Sequence, residues 1–271
     1  MRIGNLAAAL LFGPLVACGD GGGGGSVTAP SPTPTSISIS PATDLLKIKA
    51  VENFTATAIS SSGSNAVTAS WRSDNPSVVT IDSAGRATAV ASGTATVIAD
   101  YQGLSASRLL RVVPDYHGNW RGNARLLACE DDGDWDGICD DMGIGELDTI
   151  AILVTQQNTG VSGTLDVGGM AGAVTGTIAM DGTLTLSGTF TVPVEGVLFD
   201  ISVVEWQTMS SDNARMNGRL ALTMKTQLLT GQVRLQAELV NVNKSATLGA
   251  TRPAAPGAVS RMISRAAKRR S

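Results

Sequence analysis

The chain has 271 residues, enough for about two domains. Its formal net charge of −3 excludes a general nucleic-acid binder. With 31 glycines among many Thr, Ser and Val residues, the composition predicts an all-β protein with frequent tight turns.

The first segment reads as an address. Arg2 precedes an apolar run, Leu6 to Val16, that is too short to span a bilayer. The run ends in Leu15-Val16-Ala17-Cys18, which resembles the lipobox of bacterial lipoproteins. The resemblance implies removal of residues 1–17 as a signal peptide and lipidation of Cys18. It also implies an exported protein held at a membrane through that lipid, on the cell surface, at the outer membrane or facing the periplasm. Residues 18–35 follow as a tether, first glycines and then prolines at 30, 32 and 34, flexible and then stiffer. No later apolar run is long enough for a transmembrane helix.

Residues 36–114 form the first expected domain. Short strands are predicted near Ser36–Ser40, Leu46–Lys49, Asn53–Ser60, Val67–Arg72, Val78–Asp82, Ala87–Ala91, Thr94–Tyr101 and Ser105–Val113. Turns at Ser83-Ala84-Gly85 and Ser92-Gly93 separate them. The run Ser70-Trp71-Arg72-Ser73-Asp74-Asn75-Pro76-Ser77-Val78-Val79, then Gly85-Arg86-Ala87-Thr88 and Gly93-Thr94-Ala95-Thr96, resembles the bacterial Ig-like domain of group 2 (Big-2). That resemblance implies a β-sandwich, and alternation points Trp71 into its core. Such domains are mostly surface modules, so a spacer or adhesion role is the expectation.

Pro114-Asp115 marks a boundary, and residues 115–248 form the second expected domain. Eight alternating segments follow: Trp120–Ala128, Leu147–Gln156, Val161–Val167, Ala173–Met180, Thr183–Thr191, Leu198–Gln207, Ala214–Lys225 and Thr230–Val240. Short turns between them predict an antiparallel up-and-down β-barrel, with a type I′ hairpin at Asp181-Gly182. The opening Gly118-Asn119-Trp120-Arg121-Gly122 and the later Gly160-Val161-Ser162-Gly163-Thr164 loosely resemble lipocalin-like domains. Such a barrel either is filled by its own side chains or holds one small ligand.

Between the first two of these segments lies an acidic loop. Cys129 to Asp148 holds nine acids and no base. With Cys18 set aside, Cys129 and Cys139 are the remaining pair, expected as a disulfide in an oxidising compartment. Asp132, Asp134 and Asp136 stand at alternate positions before Gly137, with Asp140 further on, as in the first half of an EF-hand-like calcium loop. Gly143 replaces the Glu such a loop would carry last. Two readings stay open: a weak calcium site, or a disulfide-pinned acidic turn without metal. Otherwise no cofactor is expected.

Residues 249–271 carry six bases and no acid from Arg252 onward, and read as a basic disordered tail, the alternative being a short basic helix over Ala258–Arg270 that touches anionic lipid. His117 is the single histidine and lacks any nucleophile motif, so no catalytic residue is assigned and no enzyme is expected. The functional expectation is a non-enzymatic, lipid-anchored binding, adhesion or presentation module whose partner is a carbohydrate or protein. The alternative is a lipocalin-like carrier of a small apolar ligand.

Overall fold

The computed structural model describes residues 32–141, 143–245 and 258–268. The expected signal peptide, Cys18 and most of the expected tether lie outside the described residues. The described residues from Pro34 onward form one compact unit.

Ten strands build the first domain: β1 (Ser36–Ser40), β2 (Leu45–Lys47), β3 (Val51–Asn53), β4 (Thr55–Ser60), β5 (Gly63–Val67), β6 (Ser70–Ser73), β7 (Val79–Ile81), β8 (Arg86–Ala89), β9 (Gly93–Tyr101) and β10 (Leu104–Val113). They pair as β1-β4-β5, β2-β10-β9-β6 and β3-β8-β7. Alternate residues such as Ile37, Ile39, Ala56, Ala58, Ala95, Val97 and Ala99 meet in one core, as period-two strands require. β5 was not expected, because Gly63-Ser64-Asn65 offers no apolar alternation. Trp71 is a correction: it is half-buried, packed beside Phe54 at a centroid distance of 6.5 Å rather than sealed in the core.

Eight strands close the barrel in chain order: β11 (Gly118–Asp131), β12 (Leu147–Gln157), β13 (Gly160–Val167), β14 (Met170–Ile178), β15 (Leu184–Val194), β16 (Val197–Met209), β17 (Arg215–Thr226) and β18 (Leu229–Ser245). β18 returns to pair with β11, so no edge is left open. The inward set runs on one parity. In β16 it is Val197, Phe199, Ile201 and Val203, after which a bulge moves it to Trp206 and Thr208. The hairpin between β14 and β15 departs from the expected two-residue turn. Gly182 has φ of 91° and no positive φ occurs at Asp181, while Ala179 N–H bonds Thr183 O. This is a three-residue loop with glycine at its left-handed position.

The first domain seals one end of the barrel. Val113 and Tyr116 are fully buried among barrel residues, and Leu45 packs against the same cluster. Asp115 accepts from Lys47 Nζ at 2.7 Å and from Lys244 Nζ at 3.4 Å. Asn213 accepts from Asp115 N–H at 2.8 Å and donates to Ile48 O at 2.9 Å. Arg111 Nη2 donates to Ile178 O at 2.7 Å. These bonds cross a connection of only four residues, 114–117, between β10 and β11.

Of the two readings of the tail, the structure takes the helix over the disordered one, and the helix docks on the barrel. Residues 258–268 are a helix, α1 (Ala258–Lys268). Val259, Met262, Ile263, Ala266 and Ala267 are buried, spaced at i, i+3, i+4, i+7 and i+8. This apolar stripe packs with Phe199, Met224, Val233 and Leu235 at the end of the barrel away from the first domain. Arg261, Arg265 and Lys268 face outward. A basic stretch with a continuous apolar face gains more from docking than from remaining solvated.

Candidate functional site

Site chemistry concentrates at the far mouth of the barrel, where the acidic loop and α1 meet. The loop leaves β11, turns through short 3-10 segments at Gly133–Trp135 and Cys139–Asp141, and returns to β12. Cys129 and Cys139 form a disulfide with Cα atoms 5.6 Å apart. Trp135 is fully buried and meets Phe199 edge-on at 5.9 Å, so the loop inserts an indole into the barrel mouth.

The loop carboxylates bond to backbone rather than converging on a point. Asp134 Oδ2 accepts from Thr230 N–H at 2.7 Å and from its hydroxyl at 2.9 Å. Those bonds hold the Asp134 carboxyl below the usual carboxylate range. Asp132 Oδ1 accepts from Gln232 N–H at 2.8 Å, and Asp131 Oδ2 from Cys139 N–H at 2.7 Å. Asp136 and Asp140 are exposed. Among the described residues no three His, Cys, Asp or Glu side chains gather where a metal ion could sit. Two of the four expected calcium ligands, Asp132 and Asp134, thus staple the loop to the start of β18. The approach is close: Gly231 has φ of 97°, and a Cβ there would collide with the Asp132 carbonyl oxygen.

Sequence reasoning passed over Asp148. It is the second residue of β12, and parity places it inward with Ile150, Ile152 and Val154. Only 5% of it is exposed. Oδ2 accepts from Val259 N–H at the start of α1, at 2.7 Å, a charge-assisted cap of the helix. Burial pushes the Asp148 carboxyl up, against the lowering effect of that bond. Nearby, Glu146 pairs with Arg261 of α1. The signal was available, since an acid on the inward parity of an otherwise apolar strand calls for a partner.

His117 lies at the opposite end of the barrel, exposed at the entry to β11, with its N–H directed to Asp115 Oδ1 at 3.3 Å. It meets no nucleophile. Tyr116, beside it, is buried: its hydroxyl donates to Gly182 O at 2.8 Å and accepts from Ser210 N–H at 3.1 Å.

The architecture defines an Ig-like domain fused to a closed antiparallel barrel. Residues 34–102 match the family model of the bacterial Ig-like domain (group 2). No curated protein matches the chain. Among solved structures, surface layer protein SbsC, domains 4–9, is similar at 12% identity with a TM-score of 0.28, covering 76% of this chain and 31% of that one. The S-layer protein SbsC, domains 5–6, is similar at 13% identity and TM-score 0.28, covering 76% of this chain and 98% of that one. The chain thus spans about a third of the first of these, and neither likeness is close enough to carry an argument.

Proposed function

We propose that this is a non-enzymatic, lipid-anchored extracytoplasmic module, in which an Ig-like base holds a filled barrel out for recognition of a carbohydrate or protein. One observation carries the reading: the barrel is filled and stopped at both ends. Trp120, Trp206, Leu165, Leu184 and Leu222 pack its inner half, while Val113 and Tyr116 close one mouth and α1 and Trp135 the other. A packed barrel offers its outer wall and rim, and this supports presentation over a lipocalin-like carrier. The Big-2 match and the disulfide support an address outside the cytoplasm.

Anchoring through Cys18 rests on the lipobox-like sequence. The test is fractionation of cells producing the wild-type chain and Cys18→Ser, with thiol labelling of Cys129 and Cys139. The expected result is wild type in the membrane fraction, the variant lost from it, and both cysteines resistant to labelling until reduced. Membrane retention of Cys18→Ser, or free thiols in the native protein, would overturn the assignment.

A further inference from the structure

The strand directions set the point where the chain enters the first domain at the end opposite the barrel. Lys49 reaches the barrel, donating from Nζ to Asp212 O at 2.9 Å. From there the chain runs away from the barrel through β3 and β4 to the hairpin at Ser60–Gly63. β1 lies antiparallel to β4, with Ser36 opposite Ile59 and Ser40 opposite Thr55. Thr35 N–H donates to Ile59 O at 2.8 Å, which ties the entering chain to the same end. β10 starts at this end too, with Leu104 opposite Tyr101, and meets the barrel at Val113. β11 carries on from there to the acidic loop at the far mouth. Ten residues of β10 and fourteen of β11, the latter tilted as in a closed barrel, set the entry pole and the far mouth roughly 65 Å apart.

We propose that this entry pole is the surface the protein turns to its own bilayer, with the far mouth directed away from it. The orientation rests on the anchoring reading and adds to it a membrane-facing surface. Length supports it first. Cys18 precedes Ser36 by 18 residues. A flexible chain of that length spans about 25 Å on average, well short of the long axis of the molecule. The bilayer excludes the folded body, so a short link at one pole leaves the other pole further out. Composition supports it second. The tips of the entry pole, Ser60–Ser64 and Tyr101–Leu104, carry no charge, and Ser61, Ser62 and Gln102 are exposed. Arg72 and Asp100 on the adjoining strands neutralise each other at 3.3 Å. Uncharged hydroxyl and amide groups approach an anionic headgroup layer without repulsion. At the far mouth Cys129–Asp148 holds nine acids against five bases in 258–271. Loop and helix together are net negative, so contact with the same layer is disfavoured there.

The test uses the full lipidated chain with a fluorophore at one of two exposed positions. Ser61→Cys labels the entry pole, and Gln227→Cys labels the hairpin between β17 and β18 at the far mouth. Cys129 and Cys139 are joined to each other and do not compete for the label. Each protein is reconstituted into vesicles of phosphatidylethanolamine and phosphatidylglycerol that carry an energy acceptor on the headgroup. Flotation then isolates the vesicle-bound protein. The expected result is that both variants float, with energy transfer several-fold greater from Ser61→Cys than from Gln227→Cys. Floating protein with equal transfer from both, or with more from Gln227→Cys, overturns the orientation and leaves anchoring intact. If the wild-type chain floats no better than Cys18→Ser, the anchor fails and the orientation with it. Should either labelled variant fail to fold, Ser62→Cys and Leu228→Cys occupy the same two ends and must give the same order.

Discussion

Asp115, half-buried, and Asp148, buried, are carboxylates with opposite electrostatic surroundings. For Asp115, burial pushes the carboxyl up, but the bond from Lys47 and the charges of Lys244 and Lys47 outweigh it and leave it below its ordinary value. Its contribution to stability is therefore present above the ordinary carboxylate range and is lost as pH falls through the lowered value. Asp148 is held above its ordinary value by burial, with Glu146 and Arg261 the charged groups facing it. Its contribution is present below the ordinary range and is lost as pH rises through the raised value. Asp115→Asn should thus lose about 1–3 kcal/mol at pH 7.5, with the loss shrinking in acid. Asp148→Asn should melt higher than wild type at pH 7.5 and close to it at pH 3.5. Thermal melts of the two variants at both pH values check this; a destabilised Asp148→Asn at neutral pH would contradict the assignment. For Asp134, the bonds to Thr230 describe a structural staple. Calorimetry with millimolar calcium should then give no saturable heat, and heat that disappears in Asp134→Asn would restore the calcium reading.

At the scale of elements, the acidic loop and α1 stop the same mouth by different means. The loop is held by the disulfide, by Trp135 and by bonds to β18, and α1 by its apolar stripe and the Asp148 cap. A disulfide across a sequence separation of 10 contributes about 3 kcal/mol in the chain-entropy model. Replacing both Cys129 and Cys139 by serine should lower stability by about that much and open Trp135 to an aqueous quencher; an unchanged melting temperature would mean that the staples alone hold the loop. Ile263 is fully buried at the centre of the α1 stripe. Ile263→Ala should weaken helix docking by about 2–5 kcal/mol, read as faster amide exchange across α1 with β12 and β16 little changed.

Across the whole molecule, the eight barrel strands were legible because each is long and alternates, so parity alone places β12 with Ile150, Ile152 and Val154 inward. The first domain was legible through its ordered motifs, except β3, which pairs with β8 apart from β4, and β5, whose pairing with β4 is carried by backbone and not by apolar side chains. The α1 stripe was written in the spacing of Val259, Met262, Ile263, Ala266 and Ala267, but the surface that receives it is assembled from strands far apart in sequence, β11, β12 and β15 to β18, and exists only after closure. For the same reason the destinations of Asp132 and Asp134 were hidden: their partners Gln232 and Thr230 lie about a hundred residues further along the chain. The alternation of aspartates suggested a cation; in the fold Asp132 and Asp134 accept from the backbone amides of Gln232 and Thr230.

The central claim is that the Ig-like base and the barrel move as one body. It rests on the short connection 114–117, the burial of Val113 and Tyr116 in the barrel end, and the Asp115 and Asn213 bonds across it. The most direct measurement is ¹⁵N relaxation of backbone amides in the full chain, analysed separately for residues 36–113 and 118–245. The result expected is a single overall tumbling time for both sets. Two distinct tumbling times, each that of an independent smaller domain, would contradict it.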